Sequence, residues 1–169
     1  MLSSSPSASV TPDSRPPPAV ACYAGFSPSS SPRIDVSRLG VVCGPPSGLV
    51  KLAWTGGVLD ETGRAPKLRW DAERGDCFRL FAVAGQPVED LQVEVRGTAG
   101  LEGALANETR RWAVVGEHGL FCAERAGHYQ AVFGTHEGTG ELAAAVWRGA
   151  RLFPKRRAGA YDDSPHEAP

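Results

Sequence analysis

The fold is decided by the stretch GDCFRLFAVAGQPVEDLQVEVRG, residues 75–97. Apolar residues recur at every second position on both sides of its central turn, which contains Gly85 and Pro87. The alternating apolar positions are Phe78, Leu80 and Ala82, then Leu91, Val93 and Val95. A two-residue period is typical of a strand with one face in a core and one in solvent. The stretch therefore predicts two antiparallel strands joined by a short connection.

The same pattern continues outward in both directions. Further alternating or apolar runs lie at Val50–Trp54, Trp112–Val115, Tyr129–Phe133 and Leu142–Trp147. The alanine-rich segment Glu141–Arg148 could also be a helix, but the glycines on either side favour a strand. Repeated short strands with turn residues between them predict an all-β, antiparallel sandwich of about seven or eight strands.

Composition predicts that this domain occupies only part of the 169 residues. Residues 1–36 contain ten Ser and seven Pro but one Gly, and so few apolar side chains that burial would not offset the entropy of ordering. We therefore expect a disordered Ser/Pro-rich linker over 1–36, a β-sandwich over 37–153 and a disordered tail over 154–169.

Charge and motifs argue against several function classes. The 18 Lys and Arg nearly balance the 19 Asp and Glu, so no basic surface for nucleic acid is expected. No apolar run is long enough for a membrane-spanning helix. The sequence has no nucleophile-elbow motif and no phosphate-binding glycine loop. We therefore expect no enzyme activity and no cofactor, and no protein or polysaccharide partner can be named.

The four cysteines bear on the compartment. Cys77 and Cys122 lack zinc-ligand spacing, and we expect them to form a disulfide, the alternative being two buried free thiols. Cys22 and Cys43 could pair with each other or stay free. A β domain with four cysteines points to an oxidising, extracytoplasmic compartment. Met1–Val20 lacks the apolar run of a secretory signal, so we expect no signal peptide in the sequence itself. Three explanations stay open: a displaced start codon, a portion of a longer exported chain, or a cytosolic protein.

Several segments together carry a family resemblance. The run 75–95 is followed, in order, by Trp112, Cys122, Gly127-His128-Tyr129, Gly138-Thr139-Gly140 and Ala145-Val146-Trp147. From about Gly48 to Trp147 the chain resembles the bacterial pre-peptidase C-terminal domain of secreted hydrolases and myxobacterial-type lipoproteins. The resemblance implies a jelly-roll-like sandwich, export and an accessory, non-catalytic role.

Metal sites have weak support in the sequence. Glu89, Asp90 and Asn107 are calcium candidates, but they fall short of the six to eight oxygens that calcium takes, and the related domains carry more aspartates. His118 and His128, with His136, are too scattered for a metal triad. A hydrolase built on these histidines or on Cys122 is the least favoured function.

The tryptophans offer a possible ligand platform. Trp70 stands between Arg69 and Asp71, and Trp147 falls on the face opposite Leu142, so both are expected near a surface. For Trp147, packing beneath the linker or residues 151–153 is favoured over an open platform. The sequence therefore predicts a non-catalytic accessory module of an exported bacterial protein, with a weak carbohydrate- or ligand-binding domain as the alternative.

Overall fold

A computed structural model describes residues 22–44, 48–97, 100–107, 110–116 and 120–149, with only the backbone described for 100–107. This part of the chain forms one helix and nine strands. They are α1 (Pro32–Cys43), β1 (Val50–Leu59), β2 (Leu68–Ala72), β3 (Cys77–Ala84), β4 (Gln92–Gly97), β5 (Gly100–Asn107), β6 (Trp112–Val115), β7 (Phe121–Cys122), β8 (Gly127–Gly134) and β9 (Gly140–Arg148).

The strands form two antiparallel sheets. Sheet A has the order β1-β9-β3-β6, with β7 also paired to β3, and sheet B has the order β2-β8-β4-β5. The pairs β1–β9, β2–β8, β3–β6 and β4–β5 are nested, as in one long hairpin rolled into two layers. This is the strand order of a jelly roll. The predicted fold class, including a strand at the end of the domain, is confirmed.

The main core lies between the sheets. Its members come from alternate positions of the strands, because successive side chains of a strand point to opposite faces. The predicted inward residues of the 75–97 stretch and of β8 and β9 all belong to it. Near one end, the Trp70 ring stacks on Tyr129 at a centroid distance of 6.0 Å and meets Phe78 edge-on at 5.9 Å.

A second apolar cluster lies on the outer face of sheet A, where α1 packs. Pro32 begins the helix at a position where its missing N–H is not needed, and Gly44 follows its end. The buried face of α1 consists of Pro32, Asp35, Val36, Leu39, Gly40 and Cys43. The Asp35 carboxylate is buried and accepts hydrogen bonds from the Ser29 backbone N–H (2.6 Å) and from the Arg38 side chain (3.0 Å).

The predicted linker boundary is wrong for residues 22–36. Tyr23 and Phe26 pack edge-on against Trp112, and Cys22 is bonded to Cys43. The low apolar content averaged over 1–36 concealed these side chains. Residues 1–21 and the predicted tail 154–169 lie outside the described part of the chain.

Both cysteine pairs form disulfides, Cys22–Cys43 and Cys77–Cys122. The expected pairing of Cys77 with Cys122 is confirmed, and the alternative of two free thiols is wrong. The loop that it closes spans 45 residues, for which the chain-entropy estimate is about 4 kcal/mol of stabilisation. Two disulfides are consistent with an oxidising compartment. No helix among the described residues is long and apolar enough to cross a membrane.

Candidate functional site

Trp70 does not lie at a surface. It is 6% exposed in the inter-sheet core, so the prediction that it forms an open platform is wrong. The charged neighbours that suggested exposure, Arg69 and Asp71, occupy the alternate positions of β2 and point to the other face of sheet B. Because successive side chains of a strand point to opposite faces, charged residues next to a tryptophan indicate that the other face of the strand is exposed, not the face that carries the tryptophan.

Trp147 points away from the main core, as expected, but it is half-buried beneath α1. A Cβ atom added at Gly40 would clash with its ring, and one at Gly44 would lie 2.7 Å from Cζ3. Helix α1 can pass over this indole because both positions are glycine. Of the two expectations for Trp147, packing beneath a preceding segment is therefore the one observed.

The calcium candidates do not form a metal site in the described structure. The Asp90 carboxylate accepts hydrogen bonds from the Thr135 hydroxyl (2.8 Å) and from the backbone N–H groups of His136 (3.0 Å) and Glu137 (3.2 Å). Partial burial works against its ionisation, but these donors prevail, and the pKa of Asp90 is lowered. Oxygens that face N–H and O–H donors are poorly placed to bind a cation.

The remaining metal candidates are dispersed. Glu89 is exposed, and the side chain of Asn107 is outside the described part. His128 pairs with Asp71 and His136 with Gln92, while His118 is not among the described residues. Within the described ranges, no three His, Cys, Asp or Glu side chains form a group that could hold a metal ion.

The outer face of sheet B is polar. Arg69 donates to Gln130 across the β2–β8 pair at 3.1 Å, and Arg96 donates to Glu94 along β4 at 2.7 Å. The hydrogen bond from Arg96 lowers the pKa of Glu94. A shallow pocket of about 470 Å³ lies on this face, and its polar lining residues are Arg69, Asp71, Arg96, His128 and Gln130.

The outer face of sheet A and its helix are different, because large apolar side chains are exposed there. Among the described residues, all six exposed large hydrophobic side chains lie on α1 and β1: Ile34, Val41, Val42, Val50, Trp54 and Val58. Val50 faces the other side of sheet A, because its neighbour Lys51 lies opposite Trp147 on the outer face. We call the other five residues the α1–β1 surface. Trp54 is 54% exposed and Val41 is 68% exposed.

A groove of about 370 Å³ runs between α1 and β1 within this surface. Its floor is formed by Ala143, Ala145 and Trp147 of β9. The Arg33 guanidinium lies over the Trp54 ring, 5.0 Å from its centroid, and joins the two walls. Lys51 lines the groove from β1. The arrangement combines apolar contact area with positive charge.

The chain matches no protein-family model, and no curated protein is detectably similar to it. The resemblance to the pre-peptidase C-terminal domain therefore stays a hypothesis based on the residues that suggested it.

Sequence reasoning missed Trp54 because regular alternation puts Val50, Leu52 and Trp54 on one face of the strand. The β1–β9 register shifts between Lys51 and Ala53, so that Leu52 and Ala53 both pack against the core and Trp54 points outward.

Proposed function

We propose that the chain is a non-catalytic accessory module of an exported bacterial protein, and that it binds a partner protein through the α1–β1 surface. The observation that carries this proposal is that five of the six exposed large hydrophobic side chains of the described residues lie on α1 and the outer face of β1. Exposed apolar side chains that are grouped into a patch mark an interaction site, whereas apolar side chains scattered singly over a surface are ordinary.

The disulfides support the export part of the proposal. Cys22–Cys43 ties the segment before α1 to the end of that helix, and Cys77–Cys122 joins β3 to β7. Such bonds persist in the periplasm, at the cell surface or in the medium, and these are the locations that we propose.

The polar side chains support binding rather than catalysis. Asp90 organises the turn after β8, and the polar residues of sheet B pair across or along their strands. A general acid or base requires a side chain held for substrate, with its geometry and pKa set by the site. These groups are instead used by the fold itself.

A display selection tests the protein-binding proposal. The full-length oxidised chain is immobilised and screened against random peptides, and the enriched peptides are measured on a Val41→Ser/Trp54→Ser variant. We expect affinities to fall by more than about tenfold, because the variant removes the two large side chains that flank the groove. The matched control is Val132→Ser, on the outer face of sheet B, which should bind normally.

Thermal unfolding of each variant confirms that loss of binding is not loss of fold. The proposal is wrong if no peptide is enriched, or if the enriched peptides bind the folded double variant as well as they bind the original chain.

The polar pocket on sheet B favours a second candidate function, the binding of a polar ligand such as a saccharide. Five side chains with hydrogen-bonding groups, Asp71 and Gln130 among them, line one shallow pocket there. Titration against polysaccharides tests it. Binding that is lost in Gln130→Ala and kept in the α1–β1 double variant would favour this candidate over the first.

A further inference from the structure

The outer face of sheet A is only partly covered by described residues. Helix α1 packs on β3 and β9. Trp54, Gly56 and Val58 lie on the same outer face of β1, opposite Ala145, Ala143 and Glu141 of β9. Trp54 and Val58 are nevertheless 54% and 55% exposed. Helix α1 therefore covers β3 and β9 but leaves the outer face of β1 exposed among the described residues.

The space beside α1 has the shape to take another element. Arg33, Ser37 and Val41 stand one above the other along α1, since residues four apart share a helix face, and they form one wall. Trp54 forms part of the opposite wall, and Ala143 and Ala145 lie beneath, where they are only 1% and 2% exposed. A second helix laid alongside α1 would bury both the outward side of α1 and the outer face of β1.

The charge of the groove selects the occupant. Arg33 and Lys51 line it, and neither forms an ion pair with any described residue. Arg38, on the outer side of α1, is paired with the buried Asp35. No carboxylate is among the described residues that line the groove or the adjoining outer side of α1, and the exposed Glu141, opposite Val58, lies outside the groove. The chain as a whole carries a net charge of −1, so this concentration of cations is local.

From the shape and the charge together, we infer that the groove binds an acidic amphipathic helix of a partner protein. Apolar side chains on one face of that helix lie on Trp54 and Val41, and its Asp or Glu side chains meet Arg33 and Lys51. The inference rests on the proposed function and adds the chemical class of the partner. A second copy of this chain is disfavoured, because docking the same surface on itself brings like charges together.

Two synthetic peptides of about 18 residues, five helical turns, test the inference. Both carry Leu at positions i, i+3, i+4 and i+7, and they differ only in having Glu or Lys on the flanks of that face. With the full-length oxidised chain, we expect the Glu peptide to bind more than about tenfold tighter than the Lys peptide at low salt. The preference should shrink as the ionic strength rises.

Charge reversal in the groove provides the decisive comparison. We expect Arg33→Glu/Lys51→Glu to prefer the Lys peptide, whereas the matched control Arg69→Glu, on sheet B, keeps the original preference. Thermal unfolding verifies that both variants are folded.

The alternative results are distinguishable. Equal binding of the two peptides, abolished by Val41→Ser/Trp54→Ser, overturns the acidic partner and leaves the proposed function standing. Peptides from the random selection that bind this surface while both designed peptides fail also overturn the inference alone.

A gain of more than about tenfold in Glu-peptide affinity on deleting residues 150–169 or 1–21 would mean that the chain covers its own groove. Concentration-dependent dimerisation abolished by Trp54→Ser would assign the groove to a second copy. Either result overturns the inference.

Discussion

The outer faces of the two sheets differ in what lies against them, and the strands record the difference. In sheet B, β2 alternates buried and exposed positions without a break, because one of its faces meets solvent. In sheet A, seven of the eight residues of β3 are buried, and β9 has five consecutive buried residues. Strands buried on both faces read as continuous apolar runs. The contrast teaches that sheet A requires a covering layer, which α1 supplies in part.

The largest expected effect tests whether the outer face of sheet A is a core. Phe81 is fully buried and belongs to the cluster beneath α1, so Phe81→Ala should lower the free energy of unfolding by about 3–5 kcal/mol. Val132 is half-buried on the outer face of sheet B, and Val132→Ala should cost less than about 1 kcal/mol.

Urea unfolding of the two oxidised variants measures the difference. Equal losses of stability would contradict the proposed difference between the sheets, because they would mean that the two outer faces contribute equally to folding.

Substituting alanine for one of two glycines, Gly40 or Gly134, is expected to change the stability by less than Phe81→Ala does. A Cβ atom at Gly40 would clash with the Trp147 ring, whereas the nearest atom to a Cβ at Gly134 of β8 is 3.8 Å away. Gly40→Ala should therefore lift α1 from the sheet and cost about 1–3 kcal/mol, and Gly134→Ala should stay within about 1 kcal/mol of the original chain. Thermal unfolding, with tryptophan fluorescence as the probe, measures both. A neutral or stabilising Gly40→Ala would show that the contact between α1 and Trp147 is loose.

The smallest expected effect is a pH-dependent change in stability at Asp90, whose carboxylate binds the turn that follows β8 of sheet B. The pKa of Asp90 is lowered from its usual 3.8, so its ionised form stabilises the folded state. That stabilisation, about 1 kcal/mol for hydrogen bonds of this kind, is fully present above pH 3.8 and is lost as the pH falls through the lowered value. Asp90→Asn should be less stable than the original chain at pH 7, and the difference should shrink as the pH falls below 3.8. A constant difference across this range would contradict the assigned role.

Much of the inner architecture could be predicted from the sequence, because alternation reports directly on burial between two sheets. The inward sets of β3, β4, β8 and β9 are all as predicted. Three strands were not predicted. The alternation of β2 was overlooked because Arg69 and Asp71 were taken as signs that Trp70 is exposed, β7 has only two residues, and β5 carries little beyond Gly, Leu and Ala.

Helix α1 and the candidate site were missed for related reasons. Phe81 and Val83 were assigned to the outward face of β3, and their apolar character was the available sign that something covers that face. The exposure of Trp54 depends on a register shift that no residue pattern specifies. The contrast with Trp70 shows that exposure of a tryptophan is set by strand parity, not by the charge of its neighbours.

The pairing of β1 with β9 has a mechanical consequence. The chain enters β1 at Val50 and leaves β9 at Arg148, and these two residues are partners at the same end of one antiparallel ladder. The Cys22–Cys43 bond connects residue 22 directly to the end of α1, so tension on the chain before it bypasses residues 23–42. A force pulling residues 22 and 149 apart therefore loads the β1–β9 ladder from this end, one pair at a time, while residues 23–42 stay outside the covalent load path.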